Sequence, residues 1–151
     1  MQDIQARRKS LWQTYYDALA PLTKLGLQLP YVPDYATKNG HMFYLVCRSL
    51  AERTALIEHL KKQSINPVFH YLSLHNSPFY AAKHDGRPLP YSDHYTDCLV
   101  RLPLYYELSE VQQHRVIQGI MGFYQQYEFP TDNSSFRSRL SPNPEVSGAH
   151  G

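Results

Sequence analysis

A chain of 151 residues with 42% apolar and 19% charged side chains can bury one sizeable core and is too short for several domains. A net charge of +2, which eight histidines could raise in mild acid, is too weak a balance to argue for nucleic acid or an anionic membrane. No apolar run approaches a membrane span, and the polar start Met1-Gln2-Asp3-Ile4-Gln5 has no signal-peptide character, so the expected location is cytoplasmic. Cys47 and Cys98 fit a reducing compartment as small apolar residues, with no spacing that suggests a zinc site.

In chain order, Ile4, Leu11, Tyr15, Leu19 and Leu22 recur at helical spacing and predict an amphipathic helix from about Asp3 to Leu25, loosening at Pro21 and Gly26. On it, Arg7-Arg8-Lys9, the densest basic run, reads as a solvated helix face. Residues 29–34 are extended, because Pro30 and Pro33 bias their predecessors away from helix, and Lys38-Asn39-Gly40 marks a turn. His41 to Cys47 reads as a strand with apolar residues on both faces, hence central or covered.

Ser49-Leu50-Ala51-Glu52 is a capping box opening a helix to about Gln63, with Leu56, Ile57 and Leu60 as its apolar stripe. A second short strand is expected at 67–71. No period holds from Leu72 to Tyr91, where Pro78, Gly86, Pro88 and Pro90 predict a long loop with one helical turn near Tyr80; loops of this length tend to carry function. A short helix at 91–97, a strand at 99–102 and a second capping box at Ser109–Gln112 follow, the last opening a helix with Val116, Ile117, Ile120 and Phe123 on one face. Residues 130–151, rich in Ser, Pro, Asn and Gly, read as a disordered tail. This order of elements implies an α+β layer: a small, largely antiparallel sheet with flanking helices.

The segment most suggestive of chemistry is His70-Tyr71-Leu72-Ser73-Leu74-His75, which puts two imidazoles and a phenol at a strand end leading into the long loop. Both groups donate and accept hydrogen bonds, which suits a sugar hydroxyl or an amine, although satisfied surface or core histidines have the same spacing. Asp93, His94 and Asp97 resemble a metal cluster only superficially, since their neighbourhood reads as an exposed helix. There is no glycine-rich phosphate loop and no nucleophile-base set.

Four stretches resemble the DegT/StrS family of sugar aminotransferases: Gln5-Ala-Arg-Arg-Lys-Ser-Leu-Trp12-Gln-Thr-Tyr-Tyr16-Asp-Ala-Leu, Asn39-Gly-His41-Met-Phe-Tyr44, Phe69-His-Tyr-Leu-Ser-Leu-His75 and Leu99-Val-Arg-Leu-Pro103-Leu-Tyr-Tyr-Glu-Leu-Ser109. The resemblance runs from about Gln5 to Tyr127. It implies the C-terminal small domain of a fold-type I pyridoxal-phosphate transferase, with residues 1–26 as a linking helix, 27–129 as the small domain and 130–151 as the tail. It further implies a nucleotide-sugar substrate of the dTDP-4-dehydro-6-deoxy-D-glucose type, glutamate as amino donor, dimeric assembly, and a separate large domain that holds the cofactor on a lysine. In this reading His70, Tyr71 and His75 bind the substrate, and no residue of this chain is assigned to catalysis, cofactor or metal.

Thr37-Lys38-Asn39 mimics the family's cofactor-lysine sequence, but it stands where the family has a small-domain connection and is rejected. Ser73 occupies the place of the family's usual proline in His-Tyr-x-Pro-Leu-His, which is expected to loosen the loop. The residues from Glu128 onward run past the family's usual end. The chain is therefore expected to be a truncated aminotransferase, inactive alone. The alternative is a non-catalytic interaction module that pairs with a separate large domain or binds a nucleotide sugar. A helix carrying Trp12, Tyr15 and Tyr16 would expose an apolar patch without such a partner.

Overall fold

A computed structural model of the chain describes residues 2–69 and 72–127. The expected tail, and His70 and Tyr71 of the motif, lie outside the described residues.

Helix α1, Gln2–Leu19, buries Leu11, Trp12, Tyr15 and Leu19, which share one face at helical spacing. The expected helix continues to Leu25, but as a 3₁₀ segment over Ala20–Leu25. Pro21 explains the change: it has no N–H to give the carbonyl four residues back, and its ring crowds that carbonyl. Gly26 closes the segment at φ 91°, a left-handed conformation that glycine adopts at no steric cost. Ile4, expected on the buried stripe, is instead exposed.

Strands β1 (Phe43–Val46), β2 (Val68–Phe69) and β3 (Leu99–Leu102) form an antiparallel sheet in the order β1-β3-β2. The first strand, expected to be central or covered, is covered rather than central. β1 is shorter than His41–Cys47 and stands at the side of the sheet, and β3 holds the centre. Apolar residues on both faces reflect two clusters, one on each face. Phe43, Leu45, Val100 and Leu102 enter the main core, while Val46, Leu99 and Cys98 form a smaller one with Tyr44 packed against it. The outer edge of β1 is met at its end by Gln28, which exchanges two backbone hydrogen bonds with Val46 at 3.0 and 2.9 Å.

Helix α2, Leu50–Lys62, begins with Ser49 accepting from the Glu52 amide at 3.2 Å. The return half of the box differs from expectation. Glu52 accepts from the amide and the Nε of Arg48, at 2.9 and 3.1 Å, and is 1% exposed. A carboxylate so buried is tolerable only with such a partner. Helix α4, Glu110–Gln126, has the complete box, with Ser109 and Gln112 each accepting from the other's amide. Its face of Val116, Ile117, Ile120 and Phe123 packs as expected into the main core. Gly119 lets α4 approach α2, since a Cβ there would lie 2.9 Å from Leu60 Cδ2.

Three long-range hydrogen bonds fasten α1 to the segment 103–113. Arg7 donates to the Leu108 carbonyl at 2.9 Å, the Tyr15 hydroxyl to the Pro103 carbonyl at 2.9 Å, and the Gln113 amide to the Leu11 carbonyl at 2.6 Å. Arg7 is therefore a tether rather than a member of a solvated basic face. Trp12, 6% exposed, and Tyr15, fully buried, find their packing partners within this chain, at Phe43. The apolar patch expected on the first helix is consequently absent from the Trp12–Tyr15 face.

Candidate functional site

The loop between β2 and β3 is more ordered than its composition suggests. It carries two 3₁₀ turns, Leu74–Asn76 and Ala81–Lys83, and then helix α3, Pro90–Cys98. Pro90 opens α3 because the first helical position needs no amide donor and proline's fixed φ suits it. The helix runs into β3, so its position is set by the centre of the sheet.

One side of α3 grips the turn that follows the His-Tyr motif. The Ser73 side chain, in a residue 6% exposed, bonds the hydroxyls of Ser92 and Thr96 and the Ser92 carbonyl. The His75 Nε2 lies 2.9 Å from Asp93 Oδ1, and the Asn76 amide reaches the same oxygen at 3.3 Å. Residues 73, 75 and 76 are thus bound to residues 92, 93 and 96, which lie on successive turns of one helix face. Ser73 has φ −59° and ψ 134°, a backbone that proline would also adopt. The expected loosening at this position is overturned, because the serine hydroxyl holds by bonding what proline would hold by ring closure.

Of the three expected substrate-binding residues, His75 is placed, and His70 and Tyr71 lie outside the described residues. The His75 side chain is 12% exposed and its ring lies 5.3 Å from that of His84. His84 Nδ1 accepts from the Gly86 amide at 3.1 Å. His94 turns the other way, with Nδ1 3.5 Å from Cys98 Sγ, and burial holds it below its usual range against the opposing charge of Asp97. Asp93 therefore belongs to the His75 turn and His94 to the small apolar cluster. No three His, Cys, Asp or Glu groups converge as a metal site among the described residues.

Sequence reasoning missed Ser73 as a latch and Asp93 as a partner of His75. A carboxylate 18 positions beyond a histidine carries no periodic signal, and only the return of the chain through α3 brings the two together.

Pyridoxal phosphate requires a lysine in a pocket that also holds the phosphate and an acid for the ring nitrogen. Lys9, Lys24, Lys61, Lys62 and Lys83 are exposed, and Lys38 is half-buried on the outside of α1. Lys38 lies over the Trp12 ring at 3.8 Å from its centroid and donates to Gln13 at 2.6 Å. The described residues do not fit a Schiff-base site.

Residues 1–121 match the model of the DegT/DnrJ/EryC1/StrS aminotransferase family. The chain belongs to this family. Among solved structures it is similar to DesV from S. venezuelae in complex with a ketimine intermediate, at 26% identity and a TM-score of 0.76 over 84% of this chain and 33% of that one. A DegT/DnrJ/EryC1/StrS aminotransferase from Brucella abortus gives 25% and 0.67 over 80% and 31%. The fold is also shared with ntda from Bacillus subtilis with bound cofactor PMP, at 22% and 0.69 over 80% and 28%. This chain therefore spans about a third of the length of its family relatives of known structure. No helix among the described residues is long and apolar enough to cross a membrane.

Proposed function

We propose that this chain is the small domain of a pyridoxal-phosphate-dependent nucleotide-sugar aminotransferase. Its substrate type is dTDP-4-dehydro-6-deoxy-D-glucose, its amino donor is glutamate, and its product is dTDP-4-amino-4,6-dideoxygalactose for enterobacterial common antigen. Residues 1–26 serve as the linking helix and 27–129 as the domain proper. The observation that supports this most is the family match over residues 1–121 together with a motif turn, Ser73 to Asn76, held rigidly against α3. In the family the cofactor stabilises negative charge on the carbon bearing the transferred amine. The residues here do not cradle it, so no step is assigned to it on this chain.

What this chain supplies is binding and orientation. His70, Tyr71 and His75 offer hydrogen bonds to sugar hydroxyls, and a fixed turn lowers the ordering cost of making them. The domain acts in the cytoplasm, and no transamination is expected from it by itself. It works beside a large domain, in a dimeric assembly.

A second reading, a stand-alone module that pairs with a separate large domain, draws on the loop surface. Leu72, Leu74 and Phe79 are 71%, 62% and 66% exposed. Co-purification with a large-domain polypeptide, lost on Leu74→Asp, would support it.

The test of the main reading is borohydride reduction of the purified chain with pyridoxal phosphate, read by mass, together with a glutamate-dependent transamination assay. No pyridoxyl-lysine and no turnover are expected from the chain alone, and turnover is expected when a family large domain is added. A lysine adduct with turnover by this chain by itself would overturn the proposal.

A further inference from the structure

We infer that Asp93 is a positioning residue that fixes the proton of His75 on Nε2 and so determines what His75 offers a ligand. The inference rests on the substrate-binding role proposed for His75. A neutral imidazole carries one proton, and the hydrogen bond made by one nitrogen decides the character of the other. Asp93 Oδ1 lies 2.9 Å from His75 Nε2, and a carboxylate oxygen can only accept there. In the neutral ring the proton therefore sits on Nε2, and Nδ1 is the acceptor.

The geometry has three supports. Asn76 donates to the same Oδ1 at 3.3 Å and keeps the carboxylate turned toward the turn. The Ser73–Ser92–Thr96 hydroxyls lock the backbone just before His75 onto the same helix. The His84 ring lies against the His75 ring, 5.3 Å away and tilted by 39°. No protein group among the described residues bonds His75 Nδ1. The site so built presents an acceptor nitrogen and selects a donor in the ligand, either a sugar hydroxyl or a protonated amine.

The other titratable groups of this region do not compete for the same proton. Asp85 lies 3.7 Å from His84 Nε2, and Asp97 faces His94 on the other side of α3. Asp93 is the carboxylate bonded to His75.

The experiment uses the full chain with ¹⁵N-labelled histidine and long-range ¹H–¹⁵N correlation, which distinguishes the two imidazole tautomers. His75, assigned by its loss in His75→Gln, is expected as the Nε2–H form. Asp93→Ala should turn it into an exchange-averaged mixture, while Asp93→Asn, whose amide oxygen still accepts, should keep Nε2–H. An unchanged tautomer in a folded Asp93→Ala chain would overturn the inference. So would a mixture in the wild-type chain.

A second arm adds dTDP-glucose to the chain assembled with a family large domain. A tenfold weaker affinity in Asp93→Ala, on the order expected for losing one charge-assisted contact, with Asp93→Asn near wild type, supports the positioning role. If the tautomer responds to Asp93 but no variant changes sugar affinity, the substrate-binding role proposed for His75 falls and the assignment of Asp93 as its tautomer-setting partner stands.

Discussion

Two neighbouring regions of this chain are held by different forces. Phe43, Leu45, Val100 and Leu102 lie at 6% exposure or less in the core shared by α1, α2 and α4, and removal of apolar surface from water stabilises them. The turn at residues 73–76 is held by three hydroxyls, a carboxylate and an amide against α3, while Leu72 and Leu74 beside it remain exposed. The first region determines whether the chain folds. The second determines where a few polar atoms point, so it can be altered without unfolding the rest.

The largest effect that would test this division is expected from Phe43→Ala. Phe43 is fully buried and packs its ring against Trp12 and Tyr15, so the substitution should lower unfolding free energy by about 3–5 kcal/mol in urea melts. A loss below about 1 kcal/mol would mean that the three-helix side is not the stabilising side. Gly40→Ala comes next. Gly40 has φ 65°, and a Cβ there would lie 2.9 Å from the Arg8 backbone, so the same melts should show a loss of about 1–3 kcal/mol.

Ser73 sharpens the comparison from the other side. Ser73→Ala removes the shared hydroxyl of a buried residue and should cost about 1 kcal/mol, because the half-buried Thr96 and the exposed Ser92 lose a partner. Ser73→Pro should lose the same hydroxyl yet recover part of the cost, since the native φ already suits the ring and the unfolded chain is restricted. Proline measured as less stable than alanine would show that the turn is not pre-set as described.

The last effect is alkaline and is absent near neutral pH. Burial is the main cause that pushes the Cys47 thiol up to about 12 and the Cys98 thiol up to about 11, from an ordinary 9.0. Burial likewise raises the phenols of Tyr15 and Tyr124. The folded state then holds protons that the unfolded chain releases, so stability should be flat below about pH 9 and fall as pH rises from there toward 11. Melts across that range, with slow thiol labelling of the folded chain at pH 8, would check it.

The sequence was most informative where one local force decides the outcome. The α4 face is a 3.6-residue period, the two capping serines obey a three-residue spacing, and both appear in the structure. The strand read as central or covered proved covered but not central, because apolar residues on two faces arise equally from a middle strand and from a side strand with a second small cluster beneath it. The role of Arg7 was hidden because its acceptor, Leu108, lies 101 residues away. His75 was singled out by residue type, but its orientation depends on Asp93, and no spacing rule links a loop histidine to a carboxylate on a later helix.

The fastening of α1 at Leu11, Tyr15 and Arg7 has a mechanical consequence. Three bonds spread over more than two helical turns resist both rotation about the helix axis and sliding along it. A push applied near residue 7 is therefore passed to the sheet without slack, and through β3 to α3 and the His75 turn.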